Sequence, residues 1–219
     1  MITGAIFDLD GTLLDSMFVW DIVGDIYLRS IGTEPQQSLK RRFETLSLYE
    51  SAYLYKDIYG LRYSVDDIVC DFYSILKNYY EHDIQLKTGV AEFLQQLNEN
   101  NVKMCIATAS EENLARLALE RCGIDKYFSK IITCNSLSCK KDQPIIYREA
   151  LKYLGTEKNK TLIFEDALYA LKTAKEDNFL TVAVYDKNEK NRGEMSTICD
   201  YYIFDYSTAR EFWNFASHL

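Results

Sequence analysis

The stretch Ala5-Ile6-Phe7-Asp8-Leu9-Asp10-Gly11-Thr12-Leu13-Leu14-Asp15 decides how this chain is read. Its apolar run ends in two alternate carboxylates followed by Gly11-Thr12, the pattern of a buried strand breaking into a tight loop. Alternation along a strand sets Asp8 and Asp10 on one side at its carboxyl end, where open α/β sheets place their ligands. Two carboxylates held so close repel, so the arrangement predicts a cation between them. Gly11 permits the turn, and Thr12 adds an uncharged hydroxyl.

From Thr88 onward the chain alternates helix and strand. An amphipathic helix over Gly89–Asn100 precedes a strand over Val102–Ala107, and a helix over Glu111–Cys122 precedes a strand near Lys130–Cys134. A helix over Ile145–Leu154, stopped by Gly155, leads to the strand Thr161–Phe164 and a helix ending near Asp177. Strands over Leu180–Val184 and Tyr201–Phe204 and a terminal helix complete the series. With Ile2–Phe7 as first strand, this order predicts a doubly wound, Rossmann-like α/β core built on a parallel sheet. Residues 16–85 break the rhythm. Their Leu, Ile, Tyr and Phe recur at three- and four-residue spacing, which predicts helices over Met17–Ile31, Pro35–Thr45, Leu48–Tyr59 and Val65–His82 inserted after the first strand. The expected domains are therefore 1–15 with 86–219, and 16–85.

Composition narrows the function. The chain has 219 residues, 47% of them hydrophobic, enough for a core and a modest insert. Its net charge of −8 and the absence of a long basic tract disfavour nucleic acid as a partner. No apolar run approaches membrane-spanning length and no leader is recognisable, so a cytoplasmic protein without a membrane partner is expected. The six cysteines show no C-x-x-C pair and accompany two histidines, which fits reduced thiols better than a zinc site.

Further strand ends carry polar residues. Thr108, Ala109 and Ser110 precede a helix and could offer a hydroxyl and backbone N–H groups to phosphate. Ser110 with Glu111 and Glu112 also predicts an ordinary helix N-cap. Lys140 and Lys141 lie before Pro144, and Glu165-Asp166 follow an apolar strand, where Asp166 could equally cap the next helix.

Taken together, Asp8-x-Asp10-Gly11-Thr12, Thr108, Lys141 and Asp166 follow the order of the four motifs of the haloacid dehalogenase-like phosphohydrolases, and the chain resembles that superfamily over nearly its whole length. Alignment through Pro144 and Tyr147 selects Lys141 as the motif lysine. The helical insert resembles the cap of the β-phosphoglucomutase-like and phosphatase subgroup, with Asp15-Ser16 and Asp83–Thr88 as hinges. The resemblance implies a monomeric, Mg²⁺-dependent phosphatase acting on a small phosphorylated metabolite, such as a sugar or polyol phosphate. It implies Asp8 as nucleophile, Asp10 as acid/base, and Thr108 and Lys141 as holders of the phosphoryl group. Metal would fall to Asp8, the Asp10 carbonyl, Asp166 and Glu165. Gly11, Thr12, Ala109 and Ser110 would line the phosphate site, and Trp20 and Ser47 would touch the substrate.

Two alternatives stay open. A β-phosphoglucomutase-type mutase must grip a second phosphate, and the resemblance implies for it an Arg and a Lys where this chain has Leu48 and Glu111. A catalytically silent binding module on the same fold would be expected to lose an acid, yet all are present.

Overall fold

The computed structural model of the chain describes residues 1–36 and 46–219. They form two compact units, Met1–Asp15 with Gln85–Leu219, and Ser16–Ile84.

The first unit contains β1 (Gly4–Phe7), β2 (Leu14–Asp15), β3 (Gln85–Leu86), β4 (Lys103–Thr108), β5 (Ile131–Thr133), β6 (Thr161–Glu165), β7 (Leu180–Val184) and β8 (Tyr201–Ile203). Six of these make one parallel sheet in the order β5-β4-β1-β6-β7-β8, so the first strand lies in the middle. The two-residue strands β2 and β3 pair antiparallel, Leu14 with Leu86 and Asp15 with Gln85. Gln85 thus belongs with the sheet unit. The helices between the strands run over Val90–Glu99, Glu112–Arg121, Ile145–Leu154, Leu168–Glu176, Arg192–Ile198 and Ala209–Ala216.

Alternation of side chains sorts the core onto the two faces of the sheet. Ile6, Cys105, Ala107 and Ile163 pack with Ile146, Tyr147 and Ala150 of the helix Ile145–Leu154. Phe7 instead stacks on Phe164 at 4.2 Å, and Phe93 and Phe212 from two other helices close that face, 4.8 Å from each other. Rings of this kind stabilise by about 1.5–3 kcal/mol each when buried. Helix Arg192–Ile198 was not foreseen. Its seven residues bury Met195 alone, too short a pattern for a 3.6-residue period to register.

The second unit packs α1 (Met17–Ser30), α2 (Leu48–Tyr59) and α3 (Val65–His82), the first two against the third. Its centre is aromatic: Phe72 meets Tyr27 and Tyr55 edge-on at 5.1 and 5.2 Å. Helices α2 and α3 each begin with a complete capping box, Ser47 with Glu50 and Ser64 with Asp67. The helix expected over Pro35–Thr45 lies, from residue 37, outside the described residues. Among the described residues no helix is long and apolar enough to cross a membrane.

Candidate active site

Strand register builds the site. Phe7 stands beside Ile106 on one flank and Phe164 on the other, so β1, β4 and β6 end nearly level. The chain then leaves the sheet at Asp8, Thr108 and Glu165-Asp166. Asp8 N–H still donates to the Phe164 carbonyl at 3.0 Å, which holds Asp8 in strand-like order. Asp8 therefore follows Ile6, and Glu165 follows Ile163, onto the sheet face covered by helix Ile145–Leu154.

Lys141 arrives from the loop before that helix and is buried, 4% exposed. Its ammonium donates to Asp8 Oδ1 and, at 2.7 Å, to Glu165 Oε1. Tyr147 OH donates to the same Glu165 oxygen at 2.7 Å. Burial opposes the Lys141 charge, but Asp8 and Glu165 outweigh it and hold the ammonium above the ordinary lysine range. Burial pushes the Glu165 carboxyl up to about 7 against the pull of Lys141. Asp166 rises well above the usual carboxylate range, first through burial and then through repulsion from Asp8 and Glu165.

Asp8, Glu165 and Asp166 each present a carboxylate oxygen, all within 4.8 Å of one another and all buried. Such an excess of hard, anionic oxygen donors in a dry site fits a divalent cation of the magnesium type. The cation expected between Asp8 and Asp10 is thus better matched by this trio. Asp10 turns elsewhere because the strand ends at Phe7 and the chain coils at Gly11, whose φ of +75° is left-handed. The Asp10 carboxylate accepts from Ser110 Oγ at 2.5 Å.

The other predicted residues fall as follows. Thr108 is buried, and its Oγ1 accepts from Ser110 N–H at 3.0 Å. Ser110 is not the N-cap expected of it; helix Glu112–Arg121 is capped at Glu111, and the Ser110 hydroxyl serves Asp10. Ala109 is exposed between them. Thr12 donates to Asp166 Oδ1 at 3.2 Å, while its carbonyl takes a bond from Tyr206 OH at 3.1 Å. Asp166 does not cap its helix either, since Leu168 N–H is met by Glu189 Oε2 at 3.0 Å. Lys140 is exposed, unlike Lys141. In the helical unit, Trp20 Nε1 donates to Tyr80 OH at 3.3 Å, and the Ser47 hydroxyl is committed to its capping box.

Several neighbours escaped the sequence reading. Tyr147 had served only to align a motif. Lys87 bridges Asp186 Oδ2 at 2.9 Å, and both act electrostatically on Asp166. Tyr169, on the first turn after Asp166, lies in electrostatic reach of Lys141, Glu165, Asp8 and Asp166. Alternation from Ile163 could have placed Glu165 in advance; nothing in sequence spacing marks the Lys87–Asp186 pair.

Known proteins resemble the chain across most of its length. It is 24% identical over 170 residues to a phosphorylated carbohydrates phosphatase of Thermotoga maritima, covering 78% of this chain and 79% of that protein. It is 25% identical over 186 residues to a pyrophosphatase of Bacillus velezensis, covering 84% and 83%. The crystal structure of a β-phosphoglucomutase from Clostridium difficile has the same fold, with a TM-score of 0.77 at 18% identity over 100% of this chain and 98% of that one. The family profile of the haloacid dehalogenase-like hydrolases matches residues 5–184, and the chain, with its acidic trio at the ends of β1 and β6, belongs to that family.

Proposed function

We propose that this protein is a Mg²⁺-dependent phosphatase that hydrolyses a small phosphorylated metabolite through an aspartyl-phosphate on Asp8. One observation carries the reading: a buried lysine is shared between Asp8 and Glu165 beside a third buried carboxylate, Asp166. Held at Asp8 and Asp166, with the Asp10 carbonyl and Glu165 completing or bordering the set, Mg²⁺ would neutralise phosphoryl oxygens as a Lewis acid.

The chain's own groups supply the rest. An Asp8 oxygen attacks phosphorus in line with the leaving oxygen, and the P–O bond to the substrate breaks as the Asp8–phosphorus bond forms. Asp10, oriented by Ser110, gives its proton to the departing oxygen and then takes one from the water that cleaves the aspartyl-phosphate. The Lys141 ammonium has three N–H groups, two of which serve Asp8 and Glu165; the third suits a phosphoryl oxygen. Thr108 Oγ1 accepts from Ser110 N–H, which leaves its own proton for a second phosphoryl oxygen.

The substrate class we favour is a sugar or polyol phosphate, in line with the carbohydrate-phosphate relative. Trp20 and Ser47 are assigned to substrate selection on the resemblance alone. A mutase fits less well, because Glu111, where the mutase pattern has a lysine, is an anion fixed by Asn135 Nδ2 at 2.7 Å. Phosphate release from a panel of phosphorylated metabolites, with and without Mg²⁺, tests the proposal. Magnesium-dependent turnover in the wild type, lost in Asp8→Asn, is expected. Interconversion of glucose 1- and 6-phosphates without hydrolysis would instead establish the mutase, and no turnover of any phosphoester would remove the catalytic reading.

A further inference from the structure

We infer that Tyr147 is a positioning residue for the phosphoryl-transfer centre: through its bond to Glu165 it fixes where Lys141 presents its charge. The inference rests on the phosphatase reading for its effect on rate, but its geometric core does not. Tyr147 is fully buried, with its ring set among Ile6, Cys105, Ile146 and Ile163 and edge-on to Phe179 at 6.3 Å. The ring lies wholly within the apolar core, and its hydroxyl donates to a carboxylate.

That hydroxyl donates to Glu165 Oε1 at 2.7 Å, and Lys141 Nζ donates to the same atom, also at 2.7 Å. A buried phenol needs an acceptor, and any nearby carbonyl would have satisfied it. Its acceptor here is instead the oxygen that holds the lysine against Asp8. Two donors on one oxygen fix the Glu165 side chain in a single rotamer. The other carboxylate oxygen, Oε2, carries neither bond. Without the phenol, Glu165 is tied by Lys141 alone and can rotate about its last torsion, carrying the ammonium with it. The Tyr147 hydroxyl donates to Glu165 and not to Asp8, so its effect passes through Glu165.

The test pairs Tyr147→Phe with Glu165→Gln and the double variant, using Mg²⁺-supported hydrolysis of p-nitrophenyl phosphate. Tyr147→Phe keeps the ring and the packing, and its melting temperature reports whether the fold is kept. Its kcat is expected to fall about 10- to 100-fold, the usual effect of losing a partner that orients a site ligand, with KM changed by less than about threefold. In the Glu165→Gln background the same substitution is expected to change kcat by less than about twofold, because the pathway through Glu165 is already gone. A kcat within about twofold of wild type, or the same fractional loss in both backgrounds, would overturn the inference. A second readout needs no turnover: reductive methylation of Lys141, followed by peptide mass spectrometry. Faster labelling of Lys141 in Tyr147→Phe than in the wild type supports the inference, and an unchanged rate overturns it. A wild type that hydrolyses nothing would remove the phosphatase reading and leave the labelling result to decide the role of Tyr147.

Discussion

Lys141→Met removes the ammonium that Asp8 and Glu165 share and leaves a side chain of similar length. Lys141 is 4% exposed and Glu165 is 1% exposed, so water cannot replace what is lost. Stranding buried carboxylates in this way destabilises by about 3–5 kcal/mol, whereas an exposed pair would give under about 1. For a chain of 219 residues that corresponds to a fall in melting temperature of roughly 6–20 °C. The deficit should depend on pH with a definite sign. Glu165 has a folded pKa raised from 4.5 to about 7, so its contribution to stability is complete below about pH 4.5 and is lost as pH rises through about 7. Lys141 itself stays charged across that window, since its ammonium is held above the usual lysine range. Removing it takes away the pull that Lys141 exerts on Glu165 and lets that carboxyl rise further. The metal-free variant should therefore approach wild-type stability at about pH 5 and show the full deficit at about pH 8. Mg²⁺ at pH 8 should restore part of it by taking over the countercharge. Urea unfolding in the presence of a chelator, at both pH values and again with Mg²⁺, measures all three quantities. Equal stability of variant and wild type at pH 8, or a deficit larger at pH 5 than at pH 8, would refute the reasoning.

Three further outcomes follow from the fold. Gly89→Ala forces a Cβ to within 2.6 Å of Tyr206 C and Ser207 N at a φ of +82°; a thermal melt should show a loss of about 2–4 kcal/mol. Phe93→Ala empties a fully buried site ringed by Phe164, Tyr206 and Phe212 and should lose about 3–5 kcal/mol in urea, with a loss below about 1 contradicting that packing. Asp177 is lowered by hydrogen bonds from Arg148, at 2.9 and 2.5 Å, and from Lys158, at 3.0 Å, so its contribution is present above the ordinary carboxylate range and lost as pH falls through its lowered value. Asp177→Asn should melt below the wild type at neutral pH, and the gap should close well below pH 3.8.

The sheet was legible because its central strands β1, β4, β6 and β7 are buried almost throughout and read as apolar runs. The first strand needed no more than Ala5-Ile6-Phe7 to be placed. What escaped was short or nonlocal. Strands β2 and β3 have two residues each, below any periodicity, and were named as hinges on resemblance alone. Caps were misjudged for a related reason: an N-cap preference describes an isolated helix end, where Ser110 or Asp166 would serve the nearest free N–H. In the folded sheet each has a stronger claimant at hand, Asp10 for the Ser110 hydroxyl and the Thr12 hydroxyl for the Asp166 carboxylate. Ser47, by contrast, forms a complete capping box with Glu50 three residues on, as the local rule for an S-x-x-E pattern predicts.

The adjacent acids Glu165 and Asp166 show where residue-level physics outruns motif reading. As a motif they are interchangeable carboxylates, both read as metal candidates. Strand alternation removes that freedom. Glu165 is the last residue of β6, so it points to the side of Ile163, the side where Tyr147 and Lys141 stand. Asp166 lies one residue beyond, turned toward the Thr12 hydroxyl. The longer side chain therefore reaches across to the lysine, and the shorter one stays at the strand end with Asp8. Exchanging the pair, Glu165→Asp with Asp166→Glu, keeps every charge and changes only reach. If alternation decides the roles, the exchanged protein should fold, bind Mg²⁺ weakly and lose Lys141 protection from methylation, as Tyr147→Phe is expected to do. Retention of wild-type protection would mean that charge alone, and not the face of the strand, places the lysine.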